Sequence, residues 1–177
     1  VLANSKISSI LGFIIAVNIA LGIGWLWISP SSVIIGTSIF VNSSVSFVAY
    51  QTVNEERLPI YHTNVMMCLA EEFAVICLEC IDDKKERKNV LRHLKEDGKE
   101  VIAISEAQVT NFAGNMLQVV GENNKRYLVM SKSAYESLNK HQIVSIEKHC
   151  EIIHSSLDTI EACGGGSARC MMAEVFL

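Results

Sequence analysis

Residues 62–104 and 113–154 run through the same order of local patterns, with a period of about fifty residues. In the first stretch, "HTNVMMCLAEEFAVICLEC" sets two apolar runs on either side of Ala70-Glu71-Glu72, which predicts a β-hairpin. "DDKKERKNVLRHLKEDG" follows. Val90, Leu91 and Leu94 have helical spacing, Asp82 or Asp83 is placed to cap the N-terminus, and Gly98 to close the helix. "KEVIAIS" predicts a closing strand. The second stretch repeats the order. "NMLQVV" and "YLVMS" form a hairpin around Gly121-Glu122-Asn123-Asn124. "SAYESLNKHQIVSIEKH" predicts one helix with Ser133 as cap and Glu136 at capping-box spacing, and "CEIIHSS" closes the unit. The fold class is therefore α/β, built of β-β-α-β modules. "ARCMMAEVFL" (168–177) is expected to open a third. Before the repeat, "VSFVAYQ" reads as a strand and "NEERLP" as a turn or loop.

An array that stops inside a module leaves apolar faces and strand edges bare. At about 25 cal/mol per Å² of apolar area, one unpacked module face forfeits several kcal/mol, comparable to the stability of a small domain. A partner, self-association through exposed module faces, a further segment or marginal folding is expected.

The first forty residues are of another kind. After Lys6 the next charged side chain is Glu55, and residues 7–28, "ISSILGFIIAVNIALGIGWLWI", are long enough as a helix to cross a bilayer. Trp25 and Trp27 near one end fit an interfacial position. A membrane anchor, sequence foreign to the domain, and a buried helix of a globular fold all remain open for this apolar helix. The whole chain has a net charge of −4, and beyond the first forty residues its charges are mixed with no basic stripe, which sets nucleic acid aside as a partner. Six cysteines follow no disulfide-framework spacing and sit mostly in apolar runs. They fit a reducing compartment, so the cytoplasm is the expected setting, with membrane anchoring the alternative.

The residues that carry chemistry cluster at two places. "EACGGGSARC" puts three glycines ahead of Cys170. A thiolate is the strongest side-chain nucleophile at neutral pH. Gly164, Gly165 and Gly166 supply either positive φ or close backbone approach for a substrate. The bland reading is a flexible turn before a buried cysteine. His62, in "IYHTNVMMC", opens the first strand of its unit, the position matching that of Cys170 in the last unit. A histidine satisfied at a strand end is the alternative. Cys77 and Cys80 form a C-x-x-C that an alternating strand would place on opposite faces, with no second pair at zinc spacing. Neither a metal nor another cofactor is expected.

"IYHTNVMMC", "NFAGNMLQV" with the later "LVMS", and "LDTIEACGGGSARCMMAEVFL" together resemble arginine deiminase-related proteins. More narrowly they are similar to the citrulline-utilization hydrolase type of the guanidino-group-modifying, or pentein, superfamily. The likeness covers residues 45–177 and leaves out residues 1–40. It implies an α/β propeller of five β-β-α-β modules, present here as its C-terminal part. It also implies a nucleophile at Cys170 and a histidine general acid and base at His62. The substrate implied is a small guanidino or ureido amino acid, akin to arginine or citrulline.

Three departures shape the expectation. Where the family commonly carries an acid two residues after the histidine, this chain has Asn64, which donates and accepts hydrogen bonds without adding charge. Asn64, Gly165 and Gly166 are the expected substrate contacts, and a neutral ureido group becomes a candidate substrate. An arginine often found shortly before the glycine run is replaced by Glu161-Ala162-Cys163. The family's N-terminal acids, which grip guanidinium nitrogens, have no counterpart in residues 1–40. Without that electrostatic preorganisation the chain alone is expected to be nearly inactive. The alternative function is a membrane-anchored, non-catalytic interaction module.

Overall fold

The computed structural model describes residues 37–40 and 43–172, with side chains from Val45 onward. The expected helix over residues 7–28 and the end of the expected third unit, 173–177, lie outside these residues. Among the described residues no helix is long and apolar enough to cross a membrane.

Two hairpins come first. β1 (Thr37–Phe40) pairs antiparallel with β2 (Ser43–Ser46), and β3 (Tyr50–Val53) with β4 (Glu56–Pro59). "NEERLP" is therefore not a loop. Asn54 and Glu55 take φ of +50° and +68°, the doubly positive pattern of a type I′ turn, whose twist matches that of paired strands. The strand expected over 45–51 is split, because β2 ends at Ser46 and β3 begins at Tyr50.

The first β-β-α-β unit follows. β5 (Met67–Leu69) lies antiparallel to β6 (Phe73–Cys77), and β6 lies parallel to β7 (Glu100–Ile104). All five residues of β6 are buried, as befits a central strand covered on both faces. The crossover is α1 (Lys84–Glu96). Asp83 caps it, accepting from the Lys85 and Glu86 amides at 2.7 and 2.9 Å. Gly98, at φ +73°, ends it in the left-handed region that glycine enters without strain. Val90 and Leu94 turn the apolar side of α1 into the core.

The second unit has the same topology with one correction. β8 (Leu117–Val120) is antiparallel to β9 (Arg126–Ser131), and β9 is parallel to β10 (Glu151–Ser155). Its crossover is two helices rather than one, α3 (Lys132–Ser137) and α4 (Lys140–Glu147). Leu138 is extended, and Asn139 opens a new helix through a capping box with Gln142. The cap of α3 is Ser131, not Ser133. A short helix not expected from the sequence, α2 (Glu106–Thr110), joins the units and starts with a second capping box, Ser105 with Gln108. The described fold is thus mixed α/β with small sheets and five helices.

The two units meet along a polar seam. Gln108 and Gln142 donate to each other's carbonyl oxygens at 2.7 and 3.2 Å, and the Gln142 amide also reaches the Ala103 carbonyl at 2.7 Å. The Glu71 amide donates to Gln118 Oε1 on β8 at 2.9 Å. His149, just past α4, sits between two carboxylates of the first unit. Nδ1 is 2.9 Å from Glu72 and Nε2 is 3.1 Å from Glu100, while the ring stacks on Phe73 at 5.3 Å. Arg126 also reaches Glu72, and Lys148 reaches Glu100, each at 3.6 Å.

Burial pulls the His149 pKa down, but the hydrogen bonds and charges of Glu100 and Glu72 outweigh it, so the net shift is upward. The His149 hydrogen bond in turn lowers the pKa of Glu100. A raised histidine pKa stabilises the fold fully below the ordinary value of 6.5 and ceases to do so as pH rises through the folded value. A lowered glutamate pKa stabilises above the ordinary 4.5, and that is lost as pH falls through the folded value. Between those two ordinary values the clasp is complete. His149→Gln is expected to lower Tm most in that window, with the gap from the unmodified protein closing as pH rises above it. Thermal melts of both proteins across the pH range check this.

Candidate active site

The turn that carries Cys170 is built from its serines and glycines. α5 (Asp158–Gly164) ends where Gly165 takes φ +62°. Ser167 is fully buried, and its hydroxyl donates to Glu161 Oε1 at 2.6 Å, while Glu161 Oε2 accepts from Ser133 at 2.7 Å. Glu161 thus pins the loop back onto α3. The chain then winds into a 3-10 turn, Ala168–Met171, closed by the Cys170 amide on the Ser167 carbonyl at 3.0 Å. Cys170 therefore lies in a tight turn and not on the first strand of a third unit, because the reversal at Gly165 and the buried Ser167 anchor leave no extended run. Gly166 packs directly on the nucleophile candidate: a Cβ there would lie 3.1 Å from Cys170 Cβ and 3.2 Å from Sγ. Gly165 meets nothing within 4 Å and serves by its conformation.

His62 also departs from its expected strand position. It precedes β5 as the N-cap of a 3-10 turn, Thr63–Val65, with the Val65 amide donating to its carbonyl at 3.1 Å. Its side chain is exposed, beside the Tyr61 ring at 5.0 Å. Asn64, inside that turn, points its amide at Cys170 Sγ from 3.7 Å.

One residue at the centre of this arrangement was not singled out in the sequence. Asn115 is 3% exposed. Its Nδ2 donates to Cys170 Sγ at 3.2 Å and to the Asn64 carbonyl at 3.2 Å, and its Oδ1 accepts from the Arg169 amide at 2.9 Å. The neighbouring Gly114 explains how Asn115 gets so close. A Cβ on Gly114 would strike the Val65 carbonyl oxygen and come within 2.7 Å of the Met66 carbonyl carbon. "GN" within "NFAGNMLQV" was the available hint, a glycine permitting close approach followed by a polar side chain.

These residues face one cavity of 510 Å³, lined among others by His62, Asn64, Asn115, Gly165 and Cys170. The structure thus gathers four of the five site residues named from the sequence into the cavity wall, with Gly166 packed behind Cys170. Among the described residues lining it, Glu106 is the single carboxylate, and it is engaged: Arg57 Nη1 lies 2.6 Å away. Arg57 also binds Asp82 at 2.6 Å. The Asp82 hydrogen bond, opposed by burial and reinforced by Glu106, raises the Arg57 pKa above its ordinary value.

Cys68, Cys77, Cys80 and Cys150 are buried, whereas Cys163 and Cys170 are exposed. Burial pushes Cys68 up to about 12 and raises Cys150 as well. The expectation that Cys77 and Cys80 occupy opposite faces fails, because β6 ends at Cys77 and the chain turns at once, the Ile81 amide donating to the Leu78 carbonyl at 3.2 Å. The two thiols hydrogen-bond to each other, which, together with burial, raises Cys80. Among the described residues no cluster of three or more His, Cys, Asp or Glu is arranged to hold a metal ion. The arrangement therefore offers an exposed thiol with amide donors on its sulfur and an imidazole on the same cavity wall. Those are the parts of nucleophilic catalysis with acid–base assistance.

A family model described as "N,N dimethylarginine dimethylhydrolase, eukaryotic" matches residues 40–177. The chain belongs to this family. Membership agrees, at superfamily level, with the likeness to guanidino-group-modifying, or pentein, proteins. No curated protein matches the chain. Among solved structures, similar ones include apo ArgZ, an arginine dihydrolase from the ornithine-ammonia cycle in cyanobacteria, with TM-score 0.47 and 20% identity over 68% of this chain. The N-terminal domain of ArgZ bound to product gives 0.45 and 20% over the same share. The ternary complex of AgrE with ornithine and NAD+ gives 0.44 and 24%, again over 68%. The chain spans 17%, 39% and 16% of these three chains, respectively.

Proposed function

We propose that this member of the family carries the nucleophile-bearing part of a hydrolase acting on guanidino or ureido compounds. Residues 45–177 form its pentein part, of the citrulline-utilization type, and residues 1–40 stand apart from it. The observation that carries the reading is the shared cavity: Cys170, His62 and Asn64 line it together, with two side-chain amides on the sulfur.

The chemistry follows from those groups. The Cys170 thiolate forms a carbon–sulfur bond to the central carbon of the guanidinium. The carbon–nitrogen bond then breaks, and the nitrogen leaves as an amine with a proton from His62. His62 next takes a proton from water, whose oxygen adds to the same carbon. The carbon–sulfur bond breaks, the thiolate returns, and a ureido product departs. With arginine the leaving group is ammonia. With N,N-dimethylarginine, the compound named for the family, it is dimethylamine. A neutral ureido substrate suits Asn64, which adds no charge. Because Glu106 is occupied by Arg57, the described cavity has no free carboxylate for a cationic head. Low turnover by this chain alone is therefore expected.

The test uses 2-chloroacetamidine, an amidinium electrophile. Cys170 should be alkylated faster than the exposed Cys163, arginine or citrulline should slow the reaction, and Cys170→Ala should remove it along with any residual turnover. Equal labelling of Cys170 and Cys163, without protection, contradicts the reading.

A further inference from the structure

We infer that Asn115 is a positioning residue for the Cys170 sulfur, and that it acts through its amide donor and not merely as a scaffold. The inference deepens the reading of Cys170 as a nucleophile and rests on it.

Every polar atom of this buried side chain is committed. The Oδ1 holds the backbone amide of Arg169, the residue before the nucleophile. The Nδ2 holds both the carbonyl of Asn64 and the sulfur itself. Asn115 therefore ties the turn that presents His62 and Asn64 to the turn that presents Cys170. These turns are separated by more than a hundred residues of sequence, and no direct backbone hydrogen bond between the Thr63–Val65 and Ala168–Met171 turns occurs among the described residues. The alignment of imidazole and sulfur across the cavity thus depends on side chains, chiefly Asn115, with the Asn64 amide 3.7 Å from the sulfur as a weaker second tie.

The N–H at 3.2 Å also selects a sulfur orientation. A donor on one side of the sulfur, with Asn64 at 3.7 Å as a second, fixes where the remaining lone pairs point. Hydrogen bonds to an ionised acceptor are roughly twice as strong as those to a neutral one, so these amides hold the attacking form most firmly. Gly166 packs on the sulfur from another side: a Cβ there would lie 3.1 Å from Cys170 Cβ and 3.2 Å from Sγ, so the thiol would have to shift by a few tenths of an ångström.

Donor and scaffold roles make different predictions for two variants. Asn115→Asp keeps an acceptor for the Arg169 amide but presents oxygen instead of N–H to both the sulfur and the Asn64 carbonyl. Asn115→Ala removes both. The experiment measures alkylation of Cys170 in the full chain by iodoacetamide, peptide by peptide, at fixed pH. Cys163 is the exposed reference, and the buried Cys68, Cys77, Cys80 and Cys150 report unfolding if they become labelled. Both variants are expected to slow Cys170 by about tenfold or more, with Cys163 unchanged and the four buried thiols silent. The wild-type rate in Asn115→Asp, with Ala slow, means a scaffold only and overturns the inference; so does the wild-type rate in Asn115→Ala. If either variant exposes the buried thiols, Asn115→Ser replaces it, with the same slowing expected and the wild-type rate again overturning the inference. The comparison of Cys170 with Cys163 in the unmodified chain is separate: parity there removes the nucleophile reading, whatever the Asn115 variants do.

Discussion

Gly114→Ala is expected to destabilise the protein by about 3 kcal/mol, the upper end for overpacking. The added methyl runs into one stretch of backbone: the Val65 carbonyl oxygen, the Met66 carbonyl carbon at 2.7 Å and the Met66 Cα at 2.9 Å. No rotamer change relieves contact with backbone, so a segment must move. The segment at hand is the turn of His62 and Asn64, which would shift away from Asn115. The substitution should therefore do two things together, lower Tm by about 6–12 °C and slow alkylation of Cys170. A protein that melts within a degree or two of the unmodified one would show that the two segments are not packed as described.

Phe73→Ala should cost still more, about 3–5 kcal/mol, the range for removing a fully buried aromatic. Phe73 begins the central strand β6, is 0% exposed and supports the His149 ring at 5.3 Å. Its loss opens a cavity in the first unit and takes away the surface on which the histidine clasp rests. The variant should consequently also lose the pH dependence assigned to His149. In a double-mutant cycle with His149→Gln the two effects should add up to less than their sum, as measured by urea unfolding at a pH between 4.5 and 6.5, the ordinary carboxylate and imidazole values. Full additivity would mean that Phe73 stabilises only the core.

The parts of this fold that the sequence reveals are those with long apolar patterns. The hairpin about Glu71-Glu72 and the helix from Asp83 to Gly98 could be read because apolar runs and terminal residues agree. The misses are short elements set by local hydrogen bonds. α2 has five residues, too few to show a period, although Ser105 and Gln108 stand at capping-box spacing. The break at Leu138 is hidden inside a continuous helical pattern and is decided by Asn139 and Gln142. The Asn54-Glu55 turn lacks the glycine that usually marks its type, so β4 reads as loop. At the site, Cys170 and His62 could be singled out from type and place in the repeat, and Asn64 only through the family resemblance. Asn115 could not, since its three bonds reach segments far away in sequence and no periodicity reports them.

The exchange between Gln108 and Gln142 bears on how the molecule assembles. Each amide caps the first turn of its own helix and also grips the other. Apart, each helix keeps its own capping box, but the Gln108 and Gln142 Nε2 groups lose the partners they share across the seam. The modules should consequently gain order together, and heating or denaturant should melt both in a single cooperative step, not one after the other.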